Sequence, residues 1–347
     1  MFWIIGADSL FKALDRVAGT GILRTIANQL DHKNWEGFAF YDLIFPLFVF
    51  MVGMSTVFSL DRSVAKGGKT GAVLRIVRRT ALLYLIGIFY YGGLSGHLSD
   101  IRLLGVLQRI AICYFFAGIM YVYLKPGAIF AVFAAILGGY WALMALVPVP
   151  GVGTHSYAEG ANLANYLDKM YLPWKKWDGD HDPEGMLSTL PAVCSCLLGV
   201  FASLWLKRKN LAEWKKPAGL AAAGVLLLLL GFCWGHSFPV IKKIWTSSYV
   251  LVAGGWSLLL MALFYLIVEI WKLKAWAAPF IWIGMNAITL YLLCNLTDVD
   301  GIARRLVGGD VSRALGVYSL LVLTATSLGI NVLIAGYLHR RRIFLRL

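Results

Sequence analysis

Acidic residues are scarce in this chain: 18 Asp and Glu stand against 32 Lys and Arg, a formal net charge of +14. Charge of both signs is thin as well, at 14% of 347 residues, while 59% are hydrophobic. With a mean hydropathy of +0.72, that balance excludes an ordinary soluble domain. Cysteine numbers only five, and Cys113, Cys194, Cys196, Cys233 and Cys294 lie mostly inside apolar runs. Cys194 and Cys196 are one residue apart, which is not a zinc spacing. We therefore read no disulfide framework and no metal site. We expect no cleavable leader in residues 1–14, because no basic segment precedes the first apolar stretch and Asp8 interrupts it. No internal repeat or low-complexity tract stands out. Residues 1–347 are read as a single membrane domain without a soluble appendage.

What the chain has instead is long apolar runs, several of which approach the roughly 20 residues that cross a bilayer as a helix. We expect spans near 41–60, 80–94, 102–124, 126–147, 186–206, 217–236, 247–271, 278–297 and 314–338. Residues 2–14 look like one more, for an all-α bundle of about 10–11 transmembrane helices. That first stretch rises only about 20 Å as a helix, short of a hydrocarbon layer of roughly 30 Å. The expectation is that residues upstream of Met1 complete it.

The basic residues are not spread as a nucleic-acid surface would need. They collect after alternate spans: Arg62, Lys66, Lys69, Arg75, Arg78 and Arg79; Lys125; Lys207, Arg208, Lys209, Lys215 and Lys216; Lys272 and Lys274; Arg340, Arg341, Arg342 and Arg346. By the positive-inside rule these loops and the C-terminus are cytoplasmic. The lipid bilayer, not nucleic acid, is the partner this pattern implies, and the expected location is the inner membrane of a bacterium. Two segments on the opposite side are long, residues 15–40 and 148–185. The second has a short helix expected around Asn162–Met170 and then becomes aromatic and acidic, with Tyr171, Trp174 and Trp177 suited to an ordered interfacial loop.

Ionisable groups inside a membrane span are costly and mark functional sites by default. Asp42 opens an apolar helix in HKNWEGFAFYDLIFPLFVFMVGMS, ten residues after His32. Arg109 enters another span in LLGVLQRIAICYFF, about 10 Å below the same surface. His32, Asp42, Arg109, Asp182, Glu184, Asn286 and Asp298 converge on one end of the bundle under this topology. Each also has a plain structural reading. Asp42 with Arg109 would serve as a structural ion pair, Asn286 as a tie between helices, and Asp178, Asp180, Asp182 and Glu184 as a solvated acidic turn. That acidic run lacks the spacing of a calcium loop.

Three segments together resemble the transmembrane acetyltransferase family of heparan-α-glucosaminide N-acetyltransferase and its bacterial relatives: HKNWEGFAFYDLIFPLFVFMVGMS, IRLLGVLQRIAICYF and DHDPEGMLSTLPAV, followed later by IGMNAITLYL. The resemblance covers essentially the whole chain. It implies transfer of an acetyl group from cytoplasmic acetyl-CoA to the amine of a glucosamine-type sugar on the far side of the membrane. His32 stands at the family's active-site His and Asp42 at its Asp ten residues on. On that footing His32 is a general base or an acetyl carrier, and Asp42 orients its ring. Arg109, Gln108 and Asn286 are expected at the thioester or pantetheine, and Arg75, Arg78 and Arg79 at the coenzyme's phosphates. Asp182, Glu184 and Asp298 are expected to face a cationic aminosugar, and Trp35 or Trp177 to stack on its ring. Small residues in the spans would permit a homodimer. Because bacterial relatives are often labelled N-acetylglucosamine-related transporters, an aminosugar transporter is the rival reading. The absence of a repeat, and of a clear mid-span interruption, leans toward the enzyme.

Overall fold

In the computed structural model, which describes Met1–Leu345, the chain is helical and contains no named strand among the described residues. Arg346 lies outside them. Seven helices are long and apolar enough to cross a membrane, or eight if one bent pair counts as a span. The protein is an all-α polytopic bundle. Contacts divide it into two compact units, one formed by Met1–His32, Ala39–Tyr41 and the described residues from Lys272 onward, the other by Lys33–Phe38 and Asp42–Trp271.

The larger unit holds α3 (Ile44–Tyr90), α4 (Val106–Tyr123), α5 (Pro126–Leu146), α6 (Leu163–Tyr171), α7 (Thr189–Leu206), α8 (Lys215–Gly235) and α9 (Ser247–Tyr265). Its longest element, α3, would extend about 70 Å if straight, but the helix breaks at Gly67 and Gly68, where Gly68 takes φ +64°. The chain doubles back there. Arg75 Nη1 donates to Ser63 Oγ at 3.0 Å, although twelve residues of continuous helix would hold them about 18 Å apart. Leu60 and Ile76, one from each half, share a core with Ala72 and Tyr114 of α4. One helical element thus supplies both spans expected at 41–60 and 80–94.

Close approach of small residues sets the packing, as it does where lipid removes the hydrophobic drive between helices. A Cβ on Gly53 would lie 1.9 Å from the Cys196 carbonyl oxygen, and one on Gly199 1.9 Å from that of Phe50. Backbones of α3 and α7 therefore touch, and Ser203 Oγ donates to the Met54 carbonyl at 3.0 Å. Chain alternation then puts two kinds of end on this unit. One carries the Gly67–Gly68 turn and the α4–α5 and α7–α8 connections, drawn together by Asp61, which accepts from Tyr121 at 2.6 Å and pairs with Lys207. Arg62, Lys66, Lys69, Lys125 and Lys207 gather at that end. The other end carries the starts of α3, α4, α7 and α9 and the long connection 147–188. The expected Asn162–Met170 helix is there as α6, capped by Asn162, whose Oδ1 accepts from Asn165 N at 3.0 Å.

The smaller unit holds α1 (Asp8–Ala18), α2 (Gly21–Gln29), α10 (Ala278–Met285), α11 (Ala287–Leu296), α12 (Val299–Val307), α13 (Gly309–Leu315) and α14 (Ser319–Arg340). Residues 2–14 do not form one straight span: a π-helical stretch Trp3–Ala7, kinked at Gly6, precedes α1. The segment 15–40 is also not a plain loop, since α1 runs to Ala18 and α2 follows with Thr20 as its N-cap. A second departure lies at 278–297, where α10 and α11 bend by 65° at Asn286. Sequence alone showed no interruption there, because Asn in an apolar run leaves the hydropathy pattern intact. Asn331 of α14 donates to the Ile5 carbonyl at 3.0 Å, tying the N-terminal turn to this unit's core.

Candidate functional site

The helix-start end of the larger unit buries a network of charges. Asp42, 1% exposed, sits at the mouth of α3. Its Oδ1 lies 3.3 Å from Lys242 Nζ, its Oδ2 accepts from Lys33 N at 3.2 Å, and Tyr249 Oη donates to its backbone carbonyl at 2.8 Å. The expected Asp42–Arg109 pair does not form. Arg109 Nη2 instead donates to Ser188 Oγ at 2.5 Å and the Gly185 carbonyl at 3.3 Å. Arg109 is wholly buried, and its Nε and Nη1 have no hydrogen-bond partner among the described residues.

Beneath Arg109 lies Trp245, whose ring centre is 4.9 Å from the guanidinium carbon. Trp245 takes φ +51°, a conformation that costs a bulky residue about 1 kcal/mol or more. Its surroundings impose it: the indole donates to Ser195 Oγ at 3.1 Å and packs edge-on against Phe45 and Tyr249. The turn 241–246 then closes through Trp245 N to the Lys242 carbonyl at 3.0 Å, and Thr246 caps α9. That turn aims Lys242 at Asp42.

A second anchor is Arg102, just before α4. Its Nε and Nη2 grip Asp182 at 2.8 and 2.6 Å, and Nη2 also meets Glu184 Oε2 at 2.6 Å. The guanidinium lies against the rings of Tyr91 and Trp177, 4.5 and 4.9 Å from their centres, and the two rings meet edge-on at 6.2 Å. Burial pulls Arg102 toward losing its proton, but the two carboxylates outweigh that and push its pKa up. Burial pushes Glu184 up, against the pull of Arg109 and Arg102. Asp168 of α6 is pushed up to about 6 by burial, although it accepts from Met186 N at 2.9 Å. A Cβ on Gly185 would stand 1.9 Å from Asp168 Oδ2, so only glycine admits this carboxylate. Burial also lowers the pKa of Lys242, opposed by Asp42 and then Glu184, which joins the Asp42 pair to the acidic cluster. Four helix starts surrounding these acids contribute favourable dipoles.

The remaining expected residues separate into distinct settings. Asp182 meets Arg102 through both carboxylate oxygens and Glu184 through Oε2. Trp177 is exposed and covers Arg102. Trp35 is half-buried, its indole donating to the Tyr157 carbonyl at 2.9 Å. Gln108 is buried and donates to the Arg102 carbonyl at 3.3 Å. At the opposite end of the unit, Arg75 joins Arg62 in lining a cavity of about 390 Å³ with Ser55, Phe58 and Ser59. Arg78 is exposed, and Arg79 stacks on Tyr114 at 4.7 Å. In the smaller unit, His32 is exposed with its ring 4.7 Å from that of Tyr41, which donates to Asp8 at 3.3 Å. Asp298 caps α12 through Gly301 N at 2.7 Å. Asn286, at the α10–α11 bend, is 2% exposed and its Oδ1 has no hydrogen-bond partner among the described residues.

Arg102, Lys242, Asp168, Ser188 and Trp245 were not anticipated. Arg102 sits in the same IRLLGVLQR segment as Arg109, and its spacing of seven residues was the available signal. Lys242 and Lys243 were passed over because two lysines in a short connection look like solvated charge.

Fold and site together define a polytopic helical membrane protein with a buried ionic network at one end of a helix bundle and a basic cavity at the other. No family model matches the chain. Among curated proteins it is similar to heparan-alpha-glucosaminide N-acetyltransferase of Homo sapiens and of Mus musculus, 26% identical to each, with 75% of this chain and 48% of the relative covered. These matches support a distant relationship to that family. The chain spans about half the length of the curated relatives it matches.

Proposed function

We propose that the protein is an integral-membrane acetyltransferase that moves an acetyl group from acetyl-CoA, bound on the cytoplasmic side, to the amine of a glucosamine-type sugar on the other side. The observation that carries this reading is Arg109: a wholly buried guanidinium with two unpartnered nitrogens, in a site lined by helix starts. Such donors stabilise an oxygen that gains negative charge, as a thioester carbonyl does under attack. When bound, the thioester supplies the activated acetyl group. The amine nitrogen bonds to the carbonyl carbon, the carbon–sulfur bond breaks, and the coenzyme leaves as thiol after taking up a proton.

His32 is assigned the amine's proton, or the acetyl group itself in a two-step transfer. Asp42 and Lys242 hold opposite charges near Glu184, and the lowered pKa of Lys242 suits it to exchange a proton there. Arg62 and Arg75 fit the coenzyme's phosphates, because their cavity places two guanidinium groups beside serine hydroxyls. The positive-inside pattern supports a cytoplasmic position for that cavity and for the C-terminus. The names of the two relatives support an aminosugar as acceptor.

Labelled acetyl-CoA and glucosamine, incubated with purified wild type and His32→Ala, test the proposal. Label on the sugar with wild type, and at least a hundredfold less with the variant, is expected. Equal transfer by both would remove His32 from the chemistry, and no transfer by wild type would overturn the enzyme reading. A transporter is the second reading, favoured by the α10–α11 bend at Asn286, since broken helices line substrate and ion sites in transporters. Uptake of labelled N-acetylglucosamine into proteoliposomes without acetyl-CoA would support it.

A further inference from the structure

Within DHDPEG the side chains divide: Asp182 and Glu184 turn to Arg102, while His181 turns the other way. His181 is 5% exposed. Its Nδ1 lies 2.8 Å from Asp180 Oδ1, and its Nε2 is buried without a hydrogen-bond partner among the described residues. That nitrogen faces two carboxylates, with Glu159 Oε1 at 3.8 Å and Asp178 Oδ2 at 3.9 Å. One ligand atom from each of Glu159, Asp178 and His181 fits within a sphere of mutual distances below 4.8 Å. These separations are too long for hydrogen bonds but match neighbouring ligands of one small cation. Two ligands each about 2.0–2.2 Å from a zinc ion, at a tetrahedral angle, stand about 3.3–3.6 Å apart.

We propose that Glu159, Asp178 and His181 form a zinc-class divalent metal site in the connection between α5 and α7. The donor set, one imidazole and two carboxylates, suits a borderline cation and not calcium, which takes six to eight oxygens. Asp180 completes the arrangement. A carboxylate on the far ring nitrogen fixes the His tautomer with its proton on Nδ1 and presents the Nε2 lone pair to the metal. Three protein ligands leave a fourth position for water.

Lys243 competes for the same place. Its Nζ lies 2.5 Å from Glu159 Oε1 and 3.0 Å from Asp178 Oδ2, and those carboxylates raise its pKa against the effect of burial. The metal therefore displaces an ammonium group that already balances the two acids, while His181 Nε2 gains a bonded partner. Residue 181 adjoins Asp182, so the ion would pin the loop that delivers Asp182 and Glu184 to Arg102. The site is hidden in the sequence because Glu159 lies about twenty residues before the acidic run.

The test uses full-length protein without a histidine tag, stripped with chelator, loaded with zinc chloride, desalted and measured by elemental analysis and calorimetric titration. Wild type should retain one zinc per chain. His181→Ala should lose it, Asp180→Asn should bind ten- to a hundredfold more weakly, and Lys243→Met should bind more tightly. Asp180→Asn keeps the result interpretable if His181→Ala fails to fold. Zinc retained equally by wild type and both His181→Ala and Asp180→Asn would overturn the proposal. No zinc in wild type would overturn it as well, even if Lys243→Met binds, because the lysine is then the resident cation. The readout is metal content, so it stands apart from acetyl transfer.

Discussion

Replacing Arg102 with Met removes the cation that holds two buried carboxylates while roughly keeping its length. Wild-type Arg102 makes three charge-assisted contacts of 2.6–2.8 Å, to Asp182 and Glu184, and lies against two aromatic rings. Adding those contacts pairwise would overstate the effect, since each replaces hydration. The relevant comparison is removal of one partner from a buried ion group, which costs about 3–5 kcal/mol because charge is left uncompensated. Glu184, which burial already pushes toward its protonated form, would then take up a proton, limiting the loss to the lower part of that range near pH 5 and allowing the full loss near pH 8. The assay is thermal unfolding of purified protein, read by size-exclusion recovery after heating. Arg102→Met should lower the midpoint by roughly 10 °C at pH 8, and by less at pH 5. The combined variant Arg102→Met, Asp182→Asn, Glu184→Gln should recover much of it, because uncharged groups no longer need the guanidinium. Were Arg102→Met alone to unfold within a degree or two of wild type at pH 8, the ionic network would not anchor this end of the bundle.

Other expectations follow from single positions. Asp168, pushed up to about 6 from 3.8, binds its proton more tightly in the folded chain. Its contribution to stability is therefore greatest below about pH 4 and falls as pH rises to about 6, by up to about 3 kcal/mol. Asp168→Asn should abolish that component in the difference between melting curves taken from pH 4 to 7, and a difference that does not vary with pH would refute it. Gly199→Val should force α3 and α7 apart, since even a Cβ would meet the Phe50 carbonyl at 1.9 Å; a loss of about 3 kcal/mol or more is expected, seen as reduced recovery of monodisperse protein. Arg109→Met should cut the acetyl-transfer rate by about 10²–10³-fold with little change in coenzyme affinity. A variant that loses affinity but keeps its rate would place Arg109 in binding instead.

The spans were legible because lipid leaves a strong record in sequence: about twenty apolar residues with basic residues at alternate ends. Even the doubling-back of α3 was implicit, since Lys66 to Lys69 with two glycines cannot stay in a hydrocarbon layer. Less legible was anything decided by a partner distant in the chain. Asp42 was visible as a buried acid, yet its partner, Lys242, is two hundred residues away in a connection that reads as solvent. Arg109 was correctly expected in a buried polar setting, but its neighbours Ser188 and Trp245 carry no polarity signal of their own. Asp182 and Glu184 were picked out for their charge, whereas their role depends on Arg102, which looks like an ordinary helix-flanking base. Asn286 shows the opposite failure: the residue was noticed, but the 65° bend it marks was not. Hydropathy records burial and is silent about direction.

The most direct test of the acetyltransferase account is sidedness in proteoliposomes, with labelled acetyl-CoA confined to one face of the membrane and glucosamine to the other. The account predicts labelled N-acetylglucosamine accumulating on the acceptor's side while the coenzyme stays where it was added, and no accumulation with Arg109→Met. Label that stays with acetyl-CoA, while N-acetylglucosamine itself crosses the membrane, would contradict the account and make the protein a sugar transporter.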